Sequence, residues 1–327
     1  GIRYTDESKD ADSSVYVSDS ESGVGNASEA PYLNYIWASA FNVWNREYDV
    51  SRSEDHWIPS ANIRWEPTAL DMFYASASKG YKSGGFNAND AQAPRDADAL
   101  CFLIGCSFDN TIPADDHEFD DEEVTSFEIG GKHMLFDMAF SANWALFYSE
   151  FDDQQVAVFN GISFSVDNAA KSTVKGLEAD FLWQATEELR LGLSLAYLNA
   201  EYDDYSTAPC TVAAIDAINN APCTADLAGE SLPQAPEYSG SFHFDYDRAL
   251  SSGMVLFAGG ELSYSDDYFT DGDNDRGSIQ DSYSLINLRL GLRSSSGNWE
   301  GMVYGRNITD EEISNFIFDA PLLSGSY

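Results

Sequence analysis

Residues Met138-Ala139-Phe140-Ser141-Ala142-Asn143-Trp144-Ala145-Leu146-Phe147-Tyr148 place Met, Phe, Ala, Trp, Leu and Tyr at even positions and mostly Ala, Ser and Asn at odd ones. A period of two sends alternate side chains to opposite faces of an extended chain, so this stretch predicts a strand with one apolar face and one small or polar face. Working outward, Leu177, Ala179, Phe181 and Trp183 alternate with Glu178, Asp180 and Gln184, and Leu189 to Tyr197 repeats the pattern against Arg190, Gly192, Ser194 and Ala196. Tyr238, Phe242, Phe244 and Tyr246 oppose Ser239, Ser241, His243 and Asp245, and Ile286, Leu288, Leu290 and Leu292 oppose Asn287, Arg289 and Arg293. Many of these runs exceed the usual globular strand of about 5–6 residues.

The connections alternate in length. Short links fall at 66–69, 135–137, 186–188, 248–252 and 294–298, while long polar segments are read at 6–56, 80–121, 203–237 and 266–281. A meander with short turns at one end and long loops at the other is the layout of a membrane β-barrel. A secreted β-sandwich alternates as well, but closes its apolar face into a tight core and turns its polar face to water. Here the polar faces carry Gly, Ser, Asn, Asp, Glu and Arg in turn, as a wide watery lumen tolerates.

The 327 residues hold 55 acids against 17 Lys and Arg, a formal charge of −38. Phosphate binding needs clustered bases, so nucleic acid is not an expected partner. With 43% hydrophobic and 14% aromatic content, the chain is too apolar for a disordered acidic tail. The four long segments carry 32 of the acids and 6 of the bases, so −26 of the charge belongs to one rim. No apolar run approaches the roughly 18 residues of a membrane-spanning helix, a test that leaves a membrane β-barrel open. Cys101 with Cys106 and Cys210 with Cys223 form two close pairs without nearby His, which favours two local disulfides over zinc and implies an oxidising compartment.

Several strings, taken in order, resemble the TonB-dependent outer-membrane receptors over nearly the whole chain. They are Gly1-Ile2-Arg3-Tyr4-Thr5, Ala75 to Asn87 with Lys79-Gly80-Tyr81-Lys82-Ser83-Gly84-Gly85-Phe86-Asn87, and Glu123 to Lys132 followed by Gln154-Gln155-Val156. Asn168-Ala169-Ala170, Lys175-Gly176-Leu177-Glu178, Leu232-Pro233-Gln234-Ala235-Pro236, Asn287-Leu288-Arg289-Leu290-Gly291 and Gly305-Arg306-Asn307-Ile308-Thr309-Asp310 complete the series. The resemblance implies an all-β, antiparallel transmembrane β-barrel with long extracellular loops. Roughly eleven of a 22-stranded barrel's strands fall in residues 1–327. The TonB box, the plug domain and the final strand with its terminal aromatic residue are not found in this chain. It further implies a bacterial (Gram-negative) outer-membrane location, contact with membrane lipid and lipopolysaccharide, and partnership with a plug domain and the TonB complex. The expected function is active capture of a scarce solute: siderophore, metal complex, cobalamin or oligosaccharide. A passive porin or adhesin barrel and a β-rich surface assembly protein are the alternatives.

Candidate site residues follow. Tyr81, Phe86, Asn87 and Tyr268 stand at loop roots and offer the aromatic faces and amide groups that recognise sugars and chelates. Asp271-Gly272-Asp273-Asn274-Asp275-Arg276-Gly277 sets Asp271, Asp273 and Asp275 at alternate positions. That spacing suits calcium, although Arg276 and Ser282 depart from the EF-hand pattern, and a solvated acidic turn is the other reading. His117 lies in an acidic run best read as a charged loop, and His243 is expected on a polar strand face. Ser76-Ala77-Ser78-Lys79 matches a Ser-x-x-Lys spacing, but on an alternating strand and with no Lys-Thr-Gly. Gly23-Val24-Gly25 lacks the third glycine of a dinucleotide loop. No catalytic constellation emerges, so no enzyme activity and no required cofactor are expected. The acidic rim favours neutral oligosaccharides, cationic chelates or metal complexes over strongly anionic chelates.

Overall fold

A computed structural model describes residues 1–15, 46–87, 118–159, 164–211, 213–214 and 223–317. The strands are β1 (Ile2–Val15), β2 (Arg46–Thr68), β3 (Asp71–Lys82), β4 (Gly85–Phe86), β5 (Glu118–Phe119), β6 (Glu122–Leu135), β7 (Phe140–Phe159), β8 (Phe164–Gln184) and β9 (Leu189–Asp204). They continue as β10 (Ala208–Pro209), β11 (Thr224–Ala225), β12 (Tyr238–Ala249), β13 (Met254–Ser265), β14 (Tyr268–Phe269), β15 (Ile279–Gln280), β16 (Tyr283–Ser294) and β17 (Glu300–Gly305). Eleven of them form one antiparallel sheet in the order β1-β2-β3-β6-β7-β8-β9-β12-β13-β16-β17. The sheet is open, with β1 and β17 as its edges. The three two-stranded pairs β4-β5, β10-β11 and β14-β15 sit in the long connections, all at one end. No described helix is long and apolar enough to cross a membrane.

The register converts the sequence alternation into two surfaces. Ile63, Ala75, Ile129, Leu146, Leu177, Tyr197 and Tyr238 stand side by side across seven strands. One residue along, the row reads Arg64, Tyr74, Gly130, Ala145, Glu178, Ala196 and Ser239. The first row is largely bare: Ile63 is 72%, Leu146 43% and Tyr238 50% exposed. In water each such side chain would forgo roughly 1.5–3 kcal/mol of burial, so this face is built for lipid. A sandwich would have buried it against a second sheet.

The polar face carries acids paired in place. Tyr74 donates to Glu128 at 2.6 Å, Ser194 to Asp180 at 2.7 Å and Arg293 to Asp247 at 2.8 Å, while Arg289 pairs with Asp245. Glycines here make room for large cross-strand partners. Gly192 is registered against His243 and Gly130 against Tyr74, and a Cβ at either glycine would overlap the neighbouring ring.

The first hairpin corrects one reading. Residues 6–56 are not a loop throughout, because β1 and β2 pair without interruption from Ile2↔Pro59 to Val15↔Arg46. Most of this hairpin stretch is polar on both faces, with Asp6 opposite Asp55 and Glu7 opposite Glu54, so the apolar alternation that marks the other strands is missing. Backbone hydrogen bonding alone defines it as sheet. The clearest buried apolar cluster also lies at the loop end, where Ala170, Tyr202, Tyr205, Ala208 and Leu227 pack together. Burial there pushes the Tyr202 phenol up to about 12.

Candidate functional site

The site is assembled at the loop end, where β4 and β5 fold the root of one long connection over β2. Two amides from the strings Gln154-Gln155-Val156 and Asn168-Ala169-Ala170 hold that root. The Gln155 side chain donates to the carbonyls of Lys82, Ser83 and Asp120, at 3.3, 3.1 and 3.0 Å. Asn168 accepts from Asp120 N at 2.6 Å and donates to the carbonyls of Asp120 and Asp153, each at 2.8 Å. Five hydrogen bonds to backbone carbonyls and one from a backbone amide leave the loop root little freedom.

Beneath it lies Arg52. Its guanidinium donates to Glu54 at 2.9 Å, Glu118 at 2.7 Å, Asp120 at 3.0 Å, Asp121 at 3.2 Å and the Phe119 carbonyl at 3.2 Å. Burial opposes the charge, but hydrogen bonds to Asp120, Glu54 and Glu118 outweigh it and hold the Arg52 pKa above the ordinary arginine value. Gly84 is required here, since a Cβ would strike both the Phe119 carbonyl and the Arg52 guanidinium. Beside Arg52, the imidazole of His56 stacks on Tyr81, with centroids 3.9 Å apart.

Three of the four expected contact residues gather at this root. Tyr81 is engaged by His56, Phe86 pairs with Glu118 in the β4–β5 ladder, and Asn87 bridges to β8. Asn87 donates to the Val166 carbonyl at 2.9 Å and accepts from Val166 N at 2.8 Å, so its carboxamide acts as a strand-like staple. Tyr268 belongs to another loop, in β14 opposite Gln280. Six strand spacings separate β3 from β13, about 29 Å along the wall. Tyr268 is also half-buried, and its hydroxyl is raised by burial and by Tyr283.

In the β14–β15 loop each expected calcium ligand accepts a backbone N–H: Asp271 from Gly272 at 2.7 Å, Asp273 from Asp275 at 3.1 Å and Asp275 from Gly277 at 2.8 Å. Asn274 takes the left-handed turn position, φ 53°, and donates to the Ser231 carbonyl at 2.9 Å. Cys210 and Cys223 form a disulfide beside β10–β11. Cys101, Cys106, His117 and Gly23 to Gly25 lie outside the described residues. Ser76 and Lys79 stand on β3, where Lys79 pairs with Glu123 at 3.6 Å. His243 lines the polar face, in an open groove of about 540 Å³ with Asp245, Glu261, Asn287, Arg289 and Tyr304.

The Arg52, Glu54, His56 and Asp121 cluster was not foreseen in the sequence. The signal lies in Arg52-x-Glu54-x-His56, which puts three ionisable groups on one strand face, but a segment polar on both faces reads as a loop.

A long antiparallel sheet with a bare apolar face, an ion-paired polar face and all its long connections at one end defines a membrane β-barrel wall. The chain matches the family model described as TonB dependent receptor-like, beta-barrel over residues 1–308, and it belongs to that family, whose members are outer-membrane receptors and transporters. Among solved structures it is similar to the ferric yersiniabactin uptake receptor FyuA of Yersinia pestis, with a TM-score of 0.60 and 17% identity over 85% of this chain and 36% of that one. The ferric-catecholate import receptor Fiu of E. coli K12, in its closed form, gives a TM-score of 0.59 and 16% identity over 97% and 38%. The siderophore receptor PiuA of Acinetobacter baumannii gives 0.57 and 18% over 83% and 34%. The chain thus spans little more than a third of the length of these receptors.

Proposed function

We propose that this barrel wall serves an outer-membrane receptor that captures a scarce solute at its extracellular loops and admits it to the periplasm by TonB-driven movement of a plug domain. The observation that carries the proposal is the two-faced eleven-stranded sheet within the family match at residues 1–308. In this reading the apolar rows face lipid and the rim faces lipopolysaccharide. The groove of His243, Asp245, Glu261 and Arg289 is the hydrated wall against which a plug moves.

The similar structures named above are a ferric yersiniabactin uptake receptor, a ferric-catecholate import receptor and a siderophore receptor, and an iron chelate is the solute class proposed first for this chain. The long segments' charge of −26 favours chelates of neutral or positive net charge, because an anionic one meets repulsion at the rim. Tyr81 and Phe86 are the proposed contacts at the first loop root and Tyr268 at a second. Calcium at Asp271, Asp273 and Asp275 is a separate proposal supported by their alternate spacing. Uptake by cells with and without an energised TonB complex tests the transport reading against passive diffusion.

A further inference from the structure

We infer that Glu54, His56 and Asp121 form a site for a zinc-class divalent cation at the loop root, independent of which solute is carried. Among the described residues this is the one group of three acidic, His or Cys side chains whose ligand atoms all lie within 4.8 Å of one another. Arg52 prepares the geometry by taking one oxygen from each carboxylate. Glu54 Oε2 accepts from it at 2.9 Å and Asp121 Oδ1 at 3.2 Å, which leaves Glu54 Oε1 and Asp121 Oδ2 for a cation.

His56 Nε2 lies 3.6 Å from Asp121 Oδ2, too long for a hydrogen bond. It is close to the ~3.4 Å edge of a tetrahedron with bonds near 2.1 Å. The second, independent observation is desolvation. Glu54 Oε1 and His56 Nε2 are buried with no hydrogen-bond partner among the described residues, and the Glu54 side chain is only 8% exposed. Thr5 lies directly opposite His56 in the ladder, and its hydroxyl is likewise buried and unmatched. Orphaned buried acceptors carry a penalty that a cation removes.

One imidazole nitrogen and two carboxylate oxygens suit zinc or its neighbours better than calcium, which takes six or more oxygens. Charge agrees, since Arg52 is surrounded by Glu54, Glu118, Asp120 and Asp121, leaving the cluster negative before the metal enters. The Tyr81 stack fixes the imidazole plane. Bound metal would join β2 to the β5–β6 segment and so lock the root of the loop that carries the solute contacts.

The test uses the full-length receptor, purified in detergent from the outer membrane and stripped with a chelator. Zn²⁺ is titrated against a chromophoric chelator, and Co²⁺ is followed by its visible absorption. The expected result is one high-affinity site per chain that the variants His56→Asn and Glu54→Gln weaken by more than the roughly 10–100-fold typical of losing a merely supporting group. Both variants should retain the heat-modifiable mobility of a folded barrel. Should they misfold, the wild-type Co²⁺ spectrum decides, with tetrahedral nitrogen–oxygen bands supporting the site and an octahedral aquo-like spectrum overturning it. Equal Zn²⁺ affinity in wild type and folded variants, or a loop root whose protease resistance follows pH alone and ignores Zn²⁺, also overturns it, the latter assigning the cluster to a proton.

Discussion

His56 and Tyr81 lie face to face, their ring centroids 3.9 Å apart and their planes inclined by 19°. The stack couples β2 to the top of β3 where the loop root begins, so a change at Tyr81 removes a proposed solute contact and frees the imidazole at the same time. Such pairs contribute about 0.5–1.5 kcal/mol beyond their area. Tyr81→Phe is expected to keep solute affinity within about twofold, whereas Tyr81→Ala lowers it by roughly tenfold, in line with that loss plus loosening of the root. Titration of solute against the purified receptor by intrinsic fluorescence measures both.

How much of this was legible beforehand follows the lipid. Wherever a strand crosses the apolar layer, as at Phe140 to Tyr148 or Leu177 to Trp183, one face must be apolar, and the period of two is printed in the sequence. Where β1 and β2 rise above that layer no solvent imposes the pattern, and the hairpin read as loop. The acidic loops were legible as composition, but the geometry around Arg52 was not. Arg52 meets Glu118 and Asp121 only because Gly84, Gln155 and Asn168 fold the β4–β5 root back, a contact between residues more than sixty positions apart.

The pairing of Gly192 with His243 makes a second prediction. Gly192→Ala inserts a methyl group where the imidazole lies, so the His243 ring must turn away into the open groove, at a cost of about 1 kcal/mol, the lower end for overpacking. A lower midpoint of urea unfolding in lipid vesicles is expected. The double variant Gly192→Ala/His243→Ala should recover most of the loss, because the residues are direct cross-strand partners and their effects couple.

Asp271 gives a pH dependence. Burial raises its pKa, the Gly272 N–H works the other way, and the charge of Asp275 adds to the rise. A carboxyl whose folded pKa lies above its unfolded value of about 3.9 stabilises below that value and loses the contribution as pH rises through the folded one. The metal-free β14–β15 loop should therefore resist proteolysis better in mild acid than at neutral pH, and Asp271→Asn should abolish the difference while strengthening the loop at pH 7. If calcium binds there, millimolar Ca²⁺ will restore neutral resistance in the wild type and not in Asp271→Asn.

The disulfide offers a fourth test. Cys210 and Cys223 are 13 positions apart, and closing a loop of that size is worth about 3 kcal/mol against the open chain. Reduction, or the variant Cys210→Ser/Cys223→Ser, should sharply increase protease cutting between the two positions. The sheet itself should keep its unfolding midpoint, since the bridge lies beside β10–β11 and outside the eleven-stranded ladder.

The most direct test of transport is the accumulation of radiolabelled ferric chelates, graded from cationic to anionic, by cells whose only ferric-chelate receptor is the full-length form of this chain. Saturable uptake is expected, strongest for neutral or cationic chelates, and it should vanish when TonB is deleted or the proton gradient collapsed. Uptake that rises linearly with concentration and persists without TonB would contradict active transport and identify a passive pore.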